Sequence, residues 1–259
     1  MEPLKITIFQ AYLFWENIHR NLENLSERIA ALRESTDLII LPEMFNSGFT
    51  TNVDKCAEKM GGPTMKWMYE MAQMYDCVVA GSLIIEEDGK FYNRFIWMTQ
   101  NGTFVQYDKR HLFGLANEEE VFTPGRKRVI VELKGWKICP MICYDLRFPV
   151  WSRNLGGAYD LLLYVASWPD TRSNHWKSLI AARAIENQAF VIGVNRVGHD
   201  GNEQYYAGNS MCISPLGDVV YFKPEYEDLY TFSIYPKDLE EARTKLPFLQ
   251  DSDHFSIEL

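Results

Sequence analysis

The 259-residue chain contains no apolar run near the roughly 18 residues that a membrane span requires. Its start, MEPLKITIFQ, lacks the basic segment, apolar core and small-residue cleavage site of a leader. Basic residues form no run longer than Arg126 to Arg128, and the net charge is -9, which argues against a protein that grips nucleic acid by neutralising phosphates. The five cysteines, Cys56, Cys77, Cys139, Cys143 and Cys212, are scattered, odd in number and without C-x-x-C spacing. That usage suits reduced thiols in a cytoplasm better than a disulfide framework. Missing too are the G-x-x-x-x-G-K-[ST], G-x-G-x-x-G and H-E-x-x-H patterns and any His and Cys cluster at zinc spacing, so the sequence offers no metal or nucleotide signature. No low-complexity linker divides the chain, and one domain over residues 1–259 is expected.

What is present is a repeated β-α-β grammar. Lys5 to Gln10 alternates as a strand, Trp15 to Glu34 carries apolar residues at helical spacing, and Asp37 to Leu41, DLIIL, is apolar throughout, as in a strand covered on both faces. A helix is expected from Gly62-Pro63-Thr64 to Tyr75, where a Met and Trp stripe reads as core packing. Strand pairs follow, Val78 to Ile85 with Phe91 to Met98 across Asp88-Gly89, and then Phe104 to Tyr107. The second half repeats the pattern with Val129 to Leu133, Trp136 to Ile142, a short helical piece over Trp151 to Leu155, the apolar strand Asp160 to Ala166, a helix over Ser173 to Gln188 and a strand over Phe190 to Asn195. Strands over Asn209 to Ile213, Val219 to Phe222 and Leu229 to Ile234, and a helix from Pro236 to Lys245, complete it. Two similar halves suggest two sheets packed face to face with helices outside, a four-layer α-β-β-α sandwich, with a three-layer doubly wound sheet as the alternative.

Three residues stand just after predicted strands: Glu43 after DLIIL, Lys109 after FVQYD and Cys143 after WKICPMI. Ligands bind at the carboxyl ends of strands in open α/β sheets, and a helix opening at Pro149 would favour a thiolate at Cys143. A lone cysteine is more often a small buried apolar side chain, and a lone glutamate after a strand more often a solvated carboxylate. Together, though, a nucleophile, a carboxylate base and an ammonium to neutralise an oxyanion meet the separate needs of acyl transfer. Spacing leaves open a Cys–His dyad through His111, His175 or His199.

LPEMF at 41–45, YDKRHLF at 107–113 and CYDLRFP at 143–149 resemble the three signature motifs of the nitrilase superfamily of carbon-nitrogen hydrolases, and RAIENQAFVIGVNRVG at 183–198 and GNSMCISPLGDVV at 208–220 resemble its later blocks. The resemblance implies the α-β-β-α sandwich and a site needing no cofactor, with Glu43 as general base, Lys109 as stabiliser of the tetrahedral intermediate and Cys143 as nucleophile. It further implies a second glutamate near the lysine, placed at Glu118 with Glu119 as the neighbouring register, and the Tyr144 backbone N–H as an oxyanion donor. Tyr144-Asp145 stands where nitrilases typically carry Trp-Glu, so CYDLRFPVWSRN looks like the omega-amidase branch, which hydrolyses the terminal amide of 2-oxoglutaramate or 2-oxosuccinamate. Nitriles and N-carbamoyl acids, or a non-catalytic binding role on the same fold, are the alternatives.

Such a substrate carries a carboxylate, which a guanidinium matches bidentately. Arg147 and Trp168 are the candidate substrate contacts, with an Arg147–Asp145 ion pair as the competing reading and Arg110 and Arg172 as further cationic candidates. The resemblance also implies a homodimer or larger assembly, for which Trp176, Leu179, Ile180 and Phe190 would supply apolar surface.

Overall fold

In the computed structural model, which describes residues 1–258, the alternating pattern becomes two mixed sheets. The first holds β1 (Leu4–Gln10), β2 (Leu38–Ile40), β3 (Glu58–Lys59), β4 (Val78–Glu87), β5 (Lys90–Met98) and β6 (Phe104–Asp108). The second holds β7 (Val131–Leu133), β8 (Trp136–Ile142), β9 (Leu161–Ala166), β10 (Phe190–Asn195), β11 (Val197–His199), β12 (Tyr205–Ile213) and β13 (Val219–Pro224). The last strand, β14 (Asp228–Ile234), returns to pair antiparallel with β1. At the centre of each sheet the strands run parallel, β1-β2-β4 in one and β8-β9-β10 in the other, with antiparallel strands outside them apart from the two-residue β3, which pairs parallel with the end of β4.

The two-residue period of a strand sorts the side chains into layers. Ile6, Ile8, Leu38, Ile40, Val78, Ala80, Phe95 and Trp97 share one core cluster with Ile138, Leu161 and Leu163 of the second sheet. The intervening residues Phe9, Ile39, Leu41, Val79, Leu83 and Ile96 face outward onto α1 (Ile18–Ile29) and, beyond α2 (Val53–Cys56), onto α3 (Pro63–Met74). Met65, Met68 and Met71 are buried there, so the Met stripe is core packing, while Met74 is exposed. Beyond α4 (Glu118–Val121) and α5 (Pro149–Ser152), α6 (Ser173–Asn187) covers the second sheet through Trp176, Ile180 and Ala184, and α7 (Pro236–Lys245) follows β14. The layers are therefore α-β-β-α, as expected. Among the described residues no helix is long and apolar enough to cross a membrane.

Several expectations need correction. The first helix starts later than its apolar spacing suggested because Asn17 caps it, its side chain accepting from the Arg20 N–H at 3.2 Å, and it ends earlier, at Ile29. The helical piece expected over 151–155 lies at Pro149–Ser152, since a 3₁₀ turn over Cys143–Arg147 precedes it and Gly156 and Gly157 at positive φ follow. The pairing of β11 with the start of β12 was hidden by the polar, glycine-containing stretch VGHDGNEQYY. Pro140 sits within β8 because β7 stops pairing at Ile138, which leaves it no ladder partner on that side. Trp176, Ile180 and Phe190 are buried in the core and supply no free apolar surface, and Leu179 is only half-buried.

Gly193 lets α6 lie close on β10: an added Cβ would fall 2.5 Å from Trp176 Cζ2 and 2.9 Å from Ile180 Cδ1. Trp176 cannot easily retreat, because its indole N–H donates to the Asn209 carbonyl at 2.8 Å. Gly193→Ala is therefore expected to cost about 1–3 kcal/mol through overpacking. Urea unfolding measures this, and an unchanged midpoint would mean that the helix yields freely.

Candidate active site

Glu43 follows β2 after Leu41-Pro42 and is turned inward by Met44, whose φ of +46° is the left-handed region and whose N–H donates to Ser82 Oγ at 3.0 Å. Lys109 directly follows β6, held by its N–H to the Asn93 carbonyl at 3.0 Å and by Gly125, whose N–H donates to the Lys109 carbonyl at 2.9 Å. No larger residue fits at 125, as a Cβ there would stand 2.1 Å from the Asp108 carbonyl oxygen. Cys143 directly follows β8 with φ of +41°, an uncommon conformation for a non-glycine residue.

Asp145 secures that strained turn. Its buried carboxylate accepts from the Ile142 N–H at 3.1 Å, the His111 N–H at 2.9 Å and the Tyr107 hydroxyl at 2.7 Å, while His111 Nδ1 lies 2.8 Å away. All of its capacity is thus directed toward the β6 and β8 ends. Arg147 is excluded from this set, which overturns the Arg147–Asp145 ion pair. A 3₁₀ turn has three residues per turn, so positions two apart point in different directions.

The three strand ends bring Glu43, Lys109 and Cys143 together. Lys109 Nζ donates to Glu43 Oε1 at 2.9 Å and to Glu118 Oε2 at 2.7 Å, and all three side chains are buried. Asn93 Nδ2 donates to Glu43 Oε1 at 2.8 Å and the Ser167 N–H to Glu43 Oε2 at 2.8 Å, so the carboxylate is fixed from three directions. Glu118 also accepts the Phe113 N–H at 2.6 Å. Its neighbours Glu119 and Glu120 are exposed, so of the three it is Glu118 that meets Lys109. Asn93 and Ser167 carried no signal beyond a polar residue inside or just after an apolar strand.

Burial pushes the Cys143 thiol well above its ordinary pKa, and the nearby Glu43 charge pushes it further; the opposing pull of Lys109 is smaller. The expected thiolate at a helix amino terminus is therefore not what this site holds at rest. The element after Cys143 is a 3₁₀ turn, and the dominant influences are lost hydration and a carboxylate. Lys109 is raised from its ordinary value because the charges of Glu118 and Glu43 outweigh its burial, and it stays an ammonium. Glu118 is raised, chiefly by burial.

Lys109 and Cys143 open on a cavity of about 640 Å³. Lys109, Cys143, Tyr144, Arg147, Trp168 and Arg172 are in its wall, so each candidate contact except Arg110 reaches it. Arg110 instead donates to the Gly125 carbonyl at 3.3 Å. No histidine lines the cavity: His111 is engaged with Asp145 and stacked 3.7 Å from the Phe148 ring, and His175 lies 3.2 Å from an Arg147 nitrogen. A Cys–His dyad thus has no support. Trp168 is clamped through its backbone, its N–H donating to Asn195 Oδ1 at 2.8 Å and its carbonyl accepting from Asn195 Nδ2 at 2.9 Å.

Comparison with known proteins agrees with this fold. The carbon-nitrogen hydrolase family model matches residues 5–244. The chain is 43% identical to the omega-amidase YafV of Escherichia coli K12, covering 99% of this chain and 100% of that one. It is 34% identical to the 2-oxoglutaramate amidase of Bacillus subtilis 168, covering 83% and 84%. A crystal structure of a CN-hydrolase superfamily protein from Xanthomonas campestris, carrying an arsenic adduct in its active site, superposes with a TM-score of 0.97 at 41% identity over 100% of both chains. Fold, family match and full-length similarity agree that this chain belongs to the carbon-nitrogen hydrolase family.

Proposed function

We propose that this hydrolase is an omega-amidase, cleaving the terminal amide of a small 2-oxo dicarboxylic acid monoamide, 2-oxoglutaramate or 2-oxosuccinamate, to the acid and ammonia. The observation that carries the reading is Cys143 beside a Glu43–Lys109–Glu118 cluster, at a cavity whose wall also presents Arg147, which has no carboxylate partner among the described residues. Relatives named for omega-amidase and 2-oxoglutaramate amidase activity, similar over most of the chain, support the substrate class.

The roles follow from the charges. Cys143 Sγ attacks the amide carbon and its proton passes to Glu43, which the Asn93, Lys109 and Ser167 donors hold in place. The oxyanion is held by Lys109 and by the Tyr144 N–H, which stands at the start of a 3₁₀ turn where backbone donors lack an intrahelical acceptor. Glu43 returns the proton to the departing nitrogen as the C–N bond breaks, ammonia leaves, and a thioester remains. Water then attacks that thioester with Glu43 as base, and the acid and the Cys143 thiol are released. Glu118 keeps Lys109 charged and aimed.

An ammonia-release screen over omega-amides, nitriles and N-carbamoyl acids tests the substrate class; turnover confined to the last two would end the omega-amidase reading. Cys143→Ala is expected to abolish turnover, and Glu43→Gln and Lys109→Ala each to lower kcat by ~10² or more. Substituting Cys56, Cys77, Cys139 or Cys212 should leave most of it. Near-normal kcat in Cys143→Ala, Glu43→Gln or Lys109→Ala would reject the role of that residue.

The reading includes one hydrolase domain, supported by a core cluster that takes residues from both sheets, and a cytoplasmic location, supported by five free, buried cysteines. It also includes a homodimer or larger assembly. Exposed Val150 and Ile185, rather than Trp176, Ile180 and Phe190, are the apolar residues available to an interface on α5 and α6. Sedimentation should show association at micromolar concentration, and a stable monomer would count against it.

A further inference from the structure

Arg147 is not the only cation left without a counter-charge in the cavity wall. The arginine ion pairs of the described residues use Arg28, Arg94, Arg183 and Arg243. Neither Arg147 nor Arg172 is among them, and both line the cavity that holds Cys143. Both residues stand against Trp168, the Arg147 guanidinium over its ring and the Arg172 carbonyl on its indole N–H, and the charge on Arg172 adds to burial in lowering the Arg147 pKa. Like charges held together without a carboxylate are costly unless an anion joins them.

The surroundings hold both groups in place without neutralising them. The Arg147 guanidinium lies 4.7 Å from the Trp168 ring centroid, and that of Arg172 lies 5.3 Å from the Phe113 ring centroid. Stacking on an aromatic face orients a guanidinium while leaving its N–H edge able to bond. One Arg147 nitrogen lies 3.2 Å from His175 Nδ1, and neither guanidinium is in an ion pair with a carboxylate of the described residues. The Trp168 indole N–H donates to the Arg172 backbone carbonyl at 2.8 Å, which joins the two halves of the arrangement. At position 172 that bond uses only the backbone carbonyl, so any side chain there retains it.

Resting on the omega-amidase reading, we infer that Arg172 is a specificity-determining residue that acts with Arg147 as a two-arginine clamp for the carboxylate and adjacent 2-oxo group at the far end of the substrate. A carboxylate and a neighbouring carbonyl oxygen offer acceptors to two forks at once, more than one guanidinium can engage in a planar, bidentate manner. Amides that carry no charge at that end leave both arginines unneutralised and are disfavoured.

The test compares Arg172→Ala, Arg172→Gln, Arg172→Lys and Arg147→Ala with the native enzyme on 2-oxoglutaramate and on an uncharged amide of similar length. Arg172→Ala is expected to raise KM for 2-oxoglutaramate by about tenfold or more, as on losing a charge-assisted hydrogen bond, with kcat little changed. KM for the uncharged amide should not rise, and Arg172→Lys should recover part of the loss. Arg172→Gln keeps a polar side chain of intermediate length and should behave like Arg172→Ala, which separates lost charge from lost packing. An unchanged KM for 2-oxoglutaramate, or an equal change on both amides, overturns the clamp. If the native enzyme turns over no carboxylate-bearing omega-amide, the functional reading falls, and the clamp is then decided by the thermal shift given by 2-oxoglutarate. A shift in the native protein that is lost in Arg172→Ala supports it; no shift in the native protein, or an equal shift in the variant, overturns it.

Discussion

The site depends on one ammonium shared by two carboxylates. Lys109 donates to Glu43 and to Glu118, all three buried, and this cluster joins the end of β2, the end of β6 and the short α4. Removing Lys109 would leave two buried carboxylates without their cation, which is far more costly than breaking a surface ion pair. The two parallel sheet centres explain why the cluster forms where it does. They bring the carboxyl ends of β2 and β8 to one side of the sandwich, and β6 reaches the same place through the hairpins from β4 and β5.

The shared ammonium also fixes the state of the nucleophile. Two carboxylates already occupy its charge, so Lys109 has little left to hold a thiolate, and burial with the Glu43 charge keeps Cys143 protonated. Nucleophilicity must then be created during the reaction, by proton transfer to Glu43 as the sulfur attacks, rather than stored in a resting ion pair. The Asp145 network complements this by holding the turn at positive φ that presents the thiol to the cavity.

Glu43, Lys109 and Cys143 stood out in the sequence because each directly follows a predicted strand and falls in one of three recognisable motifs, and the layers were legible because strand and helix segments repeat in two similar halves. Asn93 and Ser167 were not legible: their contacts with Glu43 join positions 50 and 124 residues apart, and nothing local marks them. Asp145 lay within a recognised motif, yet its inward role depends on a 3₁₀ turn that resembles the start of an α-helix in sequence. The same turn explains why the ion pair with Arg147 does not form. The strand at 197–199 was missed because the hairpin that pairs it with the start of β12 runs through a polar, glycine-containing stretch with no apolar pattern of its own.

The claim on which the mechanism turns is that Cys143 rests as a thiol and surrenders its proton to Glu43 only on attack. The most direct measurement is the ultraviolet thiolate absorbance of the native protein minus that of Cys143→Ala, followed from mildly acidic to alkaline pH. The account predicts no thiolate signal from Cys143 at neutral pH, with absorbance appearing only above the ordinary thiol range. A full thiolate signal at neutral pH would contradict it, and would place the proton elsewhere before substrate arrives.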